Sequence, residues 1–290
     1  MKLADLFARG KFVITSEVAP PKGTDLSEMI ENAELLRSRV DAINITDQQS
    51  SVMRLGSLVA SQQLKGREIE PVFQMTCRDR NRIALQSDLL SAWAVGIENV
   101  LCLTGDHVCL GDALGAKPVF DLDSVSLLAA ARGLNAGADM EGNELAGKTD
   151  FCLGAVVTPG ADPVELQLLK MGKKVEAGAA FFQTQAVFDA EAFGWFMERA
   201  RAFGVPVMAG IILLKSAGMA RFMNANIAGV HVPQLLVDEM AATAKEDRPA
   251  KSVEIAARIV REVKEICQGV HIMPLGWEKQ VPAILNAAGL

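Results

Sequence analysis

Several absences narrow what this chain does. Its five cysteines (Cys77, Cys102, Cys109, Cys152 and Cys267) form no C-x-x-C pair. The sequence therefore carries no cysteine set for an iron–sulfur cluster, and the cysteines in apolar runs read as reduced core residues. Cys102, His107 and Cys109 are close together, but Cys102 lies along an apolar strand-like run, and no metal site is expected. No G-x-G-x-x-G occurs, which removes support for a Rossmann dinucleotide site. Basic residues are in the minority, 29 Lys+Arg against 35 Asp+Glu, for a net charge of −6. A sequence-independent nucleic-acid binder normally shows the opposite balance, so none is expected. The longest apolar run, near Val205–Leu214, is half the ~20 residues that span a bilayer. Met1-Lys2-Leu3-Ala4-Asp5 has no secretory apolar core, so a cytoplasmic, non-membrane location is expected. No Pro/Gly/Ser-rich linker divides the chain, and residues 1–290 are read as a single domain.

What is present is apolar and periodic. Hydrophobic residues make up 50% of 290, a length that suits one (β/α)8 barrel of ~250 residues with insertions. Eight strand-like runs stand near 12–17, 42–46, 71–76, 99–104, 151–157, 179–184, 206–212 and 270–275. Helical patterns follow near 26–38, 51–65, 81–95, 123–133, 163–177, 189–203, 215–224 and 277–288. Extra helices are expected at 233–244 and 249–267. Short β-rich runs alternating with amphipathic stretches imply βαβ units. The expected fold is therefore an α/β (β/α)8 TIM barrel with extra helices between strands seven and eight. Asp25 with Glu28 suggests a capping box, and Gly133, Gly178 and Gly204 suggest helix C-termini.

One motif misleads. Gly142-Asn143-Glu144-Leu145-Ala146-Gly147-Lys148-Thr149 fits the phosphate-loop pattern, but that mechanism needs a strand before it and a helix after it. Here a polar loop precedes and an apolar strand-like run follows, so no nucleotide is expected there.

The chemistry gathers at strand ends. Asn99–Leu103 leads into Thr104-Gly105-Asp106, and Phe12–Ser16 leads into Glu17. Carboxylates delivered at the C-terminal ends of parallel strands are how such barrels build active sites. Gln183-Thr184-Gln185 ends strand six, where amides serve either a planar heterocycle or a polar rim. Thr46-Asp47-Gln48-Gln49 is similar in kind. Lys173-Lys174 either reaches a phosphate or faces solvent. Arg78-Asp79-Arg80-Asn81-Arg82 stands at a helix N-terminus, either as an anion site or as surface ion pairs. His231 and His271 lie in apolar surroundings and read as core or loop residues.

These residues, taken together, resemble a known family. S-E-V-A-P-P-K at Ser16–Lys22, M-T-C at Met75–Cys77 and L-T-G-D at Leu103–Asp106 are similar to methylenetetrahydrofolate reductase. So are K-K-V-E-A-G-A at Lys173–Ala179 and F-F-Q-T-Q at Phe181–Gln185. The short bacterial, acetogen-like form is the nearest in kind, through Gly105-Asp106-His107, Ala116–Ser124 and Lys215–Phe222. The resemblance implies a flavin-dependent (β/α)8 barrel that reduces 5,10-methylenetetrahydrofolate to 5-methyltetrahydrofolate. Glu17 then matches the general acid, and Asp106 the acid beside the flavin ring that also meets substrate. Gln185 matches the pterin-binding amide. Thr46, Gly105 and Lys174 match flavin contacts, and the same flavin-facing stretches supply Asp106, His107, Leu122 and Lys170. Thr104, Gln74, Thr158 and Gln167 also stand at flavin positions, but as departures, replacing an Arg, a His, a Tyr and an Asp; Asp162 likewise replaces a His. FAD is the implied cofactor, with FMN the alternative because the lost positions serve the distal half. Arg78 or Arg80 is expected to replace the missing phosphate charge. The implied partners are methylenetetrahydrofolate, NAD(P)H or an electron-transferring protein, and an iron–sulfur, zinc-bearing companion subunit; an oligomer is expected. Two other readings fit such a barrel: a non-flavin pterin or carbonyl enzyme, such as an aldolase using Lys215, and a non-catalytic assembly subunit.

Overall fold

A computed structural model describes residues 1–290. Eight parallel strands close in chain order: β1 (Val13–Val18), β2 (Ala42–Ile45), β3 (Pro71–Thr76), β4 (Asn99–Leu103), β5 (Cys152–Val157), β6 (Phe181–Ala186), β7 (Val207–Ile212) and β8 (Gly269–Met273). Around them run α1 (Leu3–Ala8), α2 (Ser27–Leu36), α3 (Ser57–Lys65), α4 (Arg82–Ala94), α5 (Ser124–Ala136), α6 (Val164–Glu176), α7 (Ala190–Ala200), α8 (Ala217–Asn226), α9 (Gln234–Ala242), α10 (Arg248–Val263) and α11 (Val281–Ala288). The expected TIM barrel is observed, with α9 and α10 as the extra helices between β7 and β8. Strand residues are almost continuously buried, as both faces of a covered parallel sheet must be. No helix is long and apolar enough to cross a membrane.

The barrel lumen is layered. Its floor is apolar, built from Val13, Ala42, Val72, Leu101, Cys152, Phe181 and Met208. Helix α1, which periodicity did not reveal, closes this floor with Leu3 and Leu6. The Leu3 N–H donates to Asn99 Oδ1 at 2.8 Å, and the Phe7 ring lies 6.2 Å from that of Phe181. Gly154 makes room for this packing, because a Cβ there would come within 2.3 Å of the Phe181 ring. Above the floor the lumen turns polar with Thr15, Asn44, Gln183 and His271, all buried.

Local boundaries differ from expectation for identifiable reasons. Helix α3 starts at Ser57 rather than near 51, because Gln48, Ser50 and Ser51 all adopt positive φ, which a right-handed α-helix does not accommodate, and only a single tight turn forms at 49–51. Strand β6 runs two residues later than expected, which puts Gln185 inside the strand. Helix α5 continues past Gly133 and ends on Gly137, whose φ of 88° suits the left-handed cap. Asp25 accepts from the Ser27 backbone N–H and hydroxyl in a local turn, and Leu26 occupies the N-cap of α2, so no capping box forms. The phosphate-loop look-alike is a turn-rich loop with Gly142 and Gly147 at positive φ and β5 beyond it.

Candidate active site

The C-terminal ends of the strands open into one cavity of about 440 Å³. Glu17, Thr46, Gln74, Thr104, Gly105 and Asp106 line it, and so do Thr158, Gln167, Lys170, Lys174 and Gln185. Residues from six strands and their loops, spread over most of the chain, are thus brought to one place by barrel closure. Two expected members are elsewhere. Leu122 is buried in the apolar layer beneath the helices. His107 is exposed on the β4–α5 loop, where Nδ1 accepts from the Cys109 N–H and the ring stacks on Phe120 at 6.2 Å.

Glu17 is buried, and its Oε2 lies 3.6 Å from His271 Nε2. This contact arises because β8 pairs with β1 and sets Thr15 beside His271. His271 Nδ1 is 2.9 Å from Thr15 Oγ1, which also accepts from Gln183 Nε2 at 3.1 Å. Gln183 and Asn44 exchange amide hydrogen bonds at 2.8 and 3.2 Å. Gln183 thus donates into Thr15, the Thr15 hydroxyl shares a hydrogen bond with His271 Nδ1, and Nε2 is left facing Glu17. The carboxyl meets the imidazole on one side and the cavity on the other. His271 had read as a core histidine; only the closure of β8 on β1 shows its contact with Glu17.

The opposite wall is cationic. Lys174 is buried on α6, and its Nζ donates to the Val156 carbonyl at 2.6 Å. Burial, and then the charge of Lys170, push its pKa down to about 8. Such a group gains by meeting an anion. Thr46 adds a second open valence, since its Oγ1 is buried without a hydrogen-bond partner. The Thr104 hydroxyl accepts from the Ser124 N–H at 3.1 Å and ties this wall to the start of α5.

The arginines divide. Arg80 is held by Asp47 at 2.7 and 3.1 Å and by Asp88 at 3.0 Å, so it is a strut rather than a free phosphate ligand. Burial opposes ionisation of Asp47, but Arg80 and Thr76 outweigh it and hold that carboxyl below the usual range. Arg78 is 1% exposed, lines the cavity, and pairs with Asp79 at 2.6 Å. Lys215 is outside the cavity lining, with Nζ donating to the Leu275 carbonyl and lying 5.2 Å from the Trp277 ring centroid. That placement counts against a Schiff-base role.

The family model described as Methylenetetrahydrofolate reductase matches residues 2–289. The chain belongs to this family. Among methylenetetrahydrofolate reductases it is 24% identical to the 5,10-methylenetetrahydrofolate reductase of Salmonella typhimurium, over 97% of this chain and 92% of that one. It is also 24% identical to methylenetetrahydrofolate reductase 2 of Schizosaccharomyces pombe, over 100% of this chain and 48% of that protein. The chain therefore spans about half the length of the fission-yeast relative. A solved protein of Clostridium thermocellum, described as binding two copies of 5-methyl-5,6,7,8-tetrahydrofolic acid, superposes with a TM-score of 0.66 at 18% identity, covering 98% of this chain and 96% of that one. A 2,3-dimethylmalate lyase superposes at 0.54 with 10% identity, covering 100% of this chain and 87% of that one. At such identities the likeness shows the barrel alone.

Proposed function

We propose that this chain reduces 5,10-methylenetetrahydrofolate to 5-methyltetrahydrofolate with a bound flavin. The carrying observation is a buried carboxyl, Glu17, facing His271 Nε2 at 3.6 Å on the wall of a cavity whose far side is cationic, in a chain of this family. The residues present fit the cofactor class. Thr46 Oγ1 is a buried hydroxyl without a partner, and Lys174, with Lys170 and Gln167 beside it, would hold its phosphates. When bound there, a flavin supplies the hydride.

The protein's own residues perform the remaining work. Glu17, oriented by His271, delivers a proton to N10 of the substrate. The N10–CH2 bond breaks with its electron pair on N10, leaving a cationic N5=CH2 iminium. Hydride addition at that carbon gives the N5-methyl product. Asp106, at the cavity mouth, places negative charge where the cation develops. Gln185 presents a backbone-anchored amide, its Oε1 accepting from the Ala186 N–H at 2.9 Å, to the flat pterin. Electrons arrive either from NAD(P)H or through an electron-carrying partner protein.

Absorption of the purified chain, followed by mass analysis of the heat-released cofactor, tests this reading. A yellow protein releasing FAD or FMN, and turning over methylenetetrahydrofolate, is expected. A colourless chain that takes up neither flavin would overturn it.

Lys174 gives a second expectation. The lysine holds its proton below pH 8 and loses it above. Flavin affinity should therefore fall as pH rises through about 8, approaching tenfold per pH unit. Lys174→Met should bind more weakly at pH 7 and lose that pH dependence, as measured by fluorescence titration. A variant retaining the wild-type slope would place the phosphates elsewhere.

A further inference from the structure

A second cleft, of about 700 Å³, adjoins the first, and Glu17 and Gln49 are common to both walls. Pro20, Pro21, Met29 and Leu275 give it apolar sides. Arg54 projects from the β2–α3 loop onto it with most of its hydrogen-bonding capacity unused. Of its guanidinium N–H groups only Nη1 has a partner, the Pro20 carbonyl at 3.1 Å, and Nε is buried without one. The backbone beneath is fixed: the Gln48 amide accepts from the Arg54 N–H at 2.6 Å and donates to its carbonyl at 3.1 Å. Leu55 N–H adds a bond to the Pro21 carbonyl at 2.9 Å.

The other charges of this cleft have partners or face solvent. Lys22 pairs with Asp112. Asp25 is engaged by Ser27, and Glu278 accepts from the Gly276 N–H at 3.1 Å and from Asn32 at 3.5 Å. Glu28 is exposed in the first turn of α2. Arg54 is the cation left in want of an anion.

We infer that this cleft receives the aryl-glutamate arm of the folate and that Arg54 binds its carboxylate, an inference that rests on the function proposed above. The chemistry of the substrate requires the arm to leave from Glu17. N10, the atom Glu17 protonates, is also the atom that carries the p-aminobenzoyl group. A residue shared by two cavities that acts on N10 sets the pterin on one side and the arm on the other. The apolar walls suit the aryl ring, and a fixed guanidinium suits a carboxylate.

The test compares two ligands on the flavin-loaded protein: 5-methyltetrahydrofolate and the corresponding tetrahydropteroyl amide, which keeps the aryl ring but carries no carboxylate. Wild type should bind the glutamyl ligand about tenfold more tightly, as a charge-assisted hydrogen bond warrants. Arg54→Gln should remove that preference and leave affinity for the pteroyl amide within twofold, and Arg54→Lys should restore part of it. Equal wild-type affinities would overturn the arm assignment while leaving the proposed function standing. Equal losses for both ligands in Arg54→Gln would make Arg54 a structural residue. A wild type that binds neither ligand would overturn the proposed function, and this inference with it. The wild-type comparison needs no variant, so it decides even if Arg54→Gln folds poorly.

Discussion

Glu17→Gln should slow folate-dependent reoxidation of the reduced protein by about 10²- to 10⁴-fold, the usual worth of a positioned general acid. Flavin content and the rate of reduction by donor should be unchanged. The separation is sharp because the substitution keeps size and polarity. The amide fills the same space beside His271, so the Thr15–Gln183–Asn44 chain behind it need not rearrange. Only the transferable proton is lost. Stopped-flow half-reactions separate the steps, and normal reoxidation in the variant would show that the proton comes from elsewhere.

Asp47→Ala should destabilise the fold by about 3–5 kcal/mol, the usual result of deleting one partner of a buried ion pair. The Asp47 side chain is fully buried and that of Arg80 is 18% exposed. The carboxylate also accepts from the Thr76 backbone N–H at 2.8 Å and the Thr76 hydroxyl at 2.9 Å, so several donors lose their acceptor together. Guanidinium unfolding should show the midpoint shift. A change within 1 kcal/mol would mean that Arg80 finds another anion. The pair also sets an acid limit. Because the folded carboxyl is held below its unfolded value, its contribution is complete above about pH 4 and disappears as pH falls through the folded value. The variant's stability should therefore depend less on pH in that acid range.

The barrel was legible because each strand is a short apolar run between turn residues, and the acids at 17 and 106 stand where such runs stop. Gln183 and Gln185 were legible as strand-end amides for the same reason. What escaped depends on closure. Nothing in the local sequence tells that His271 faces Glu17, because the contact exists only when β8 pairs with β1. The basic cluster at 78–82 could not be divided into the strut Arg80 and the cavity residue Arg78 before β2 and β3 were set side by side. Helix α1 has six residues, too few for periodicity to register, and its role as a floor follows from where the barrel leaves an apolar hole. Helix α3 is shorter than its apolar spacing implies, because that spacing carries no warning of three positive-φ residues in the segment before it.

The amides of Asn44 and Gln183 face each other across the lumen, one from β2 and the other from β6. A (β/α)8 barrel invites division into two four-stranded halves, and the long connection between β4 and β5 is the natural place to cut. In this chain each half would carry away one member of the amide pair, and the contact between Thr15 and His271 would be severed in the same way. These hydrogen bonds form only when the two halves are together, so the polar layer of the lumen belongs to the closed ring and to neither half.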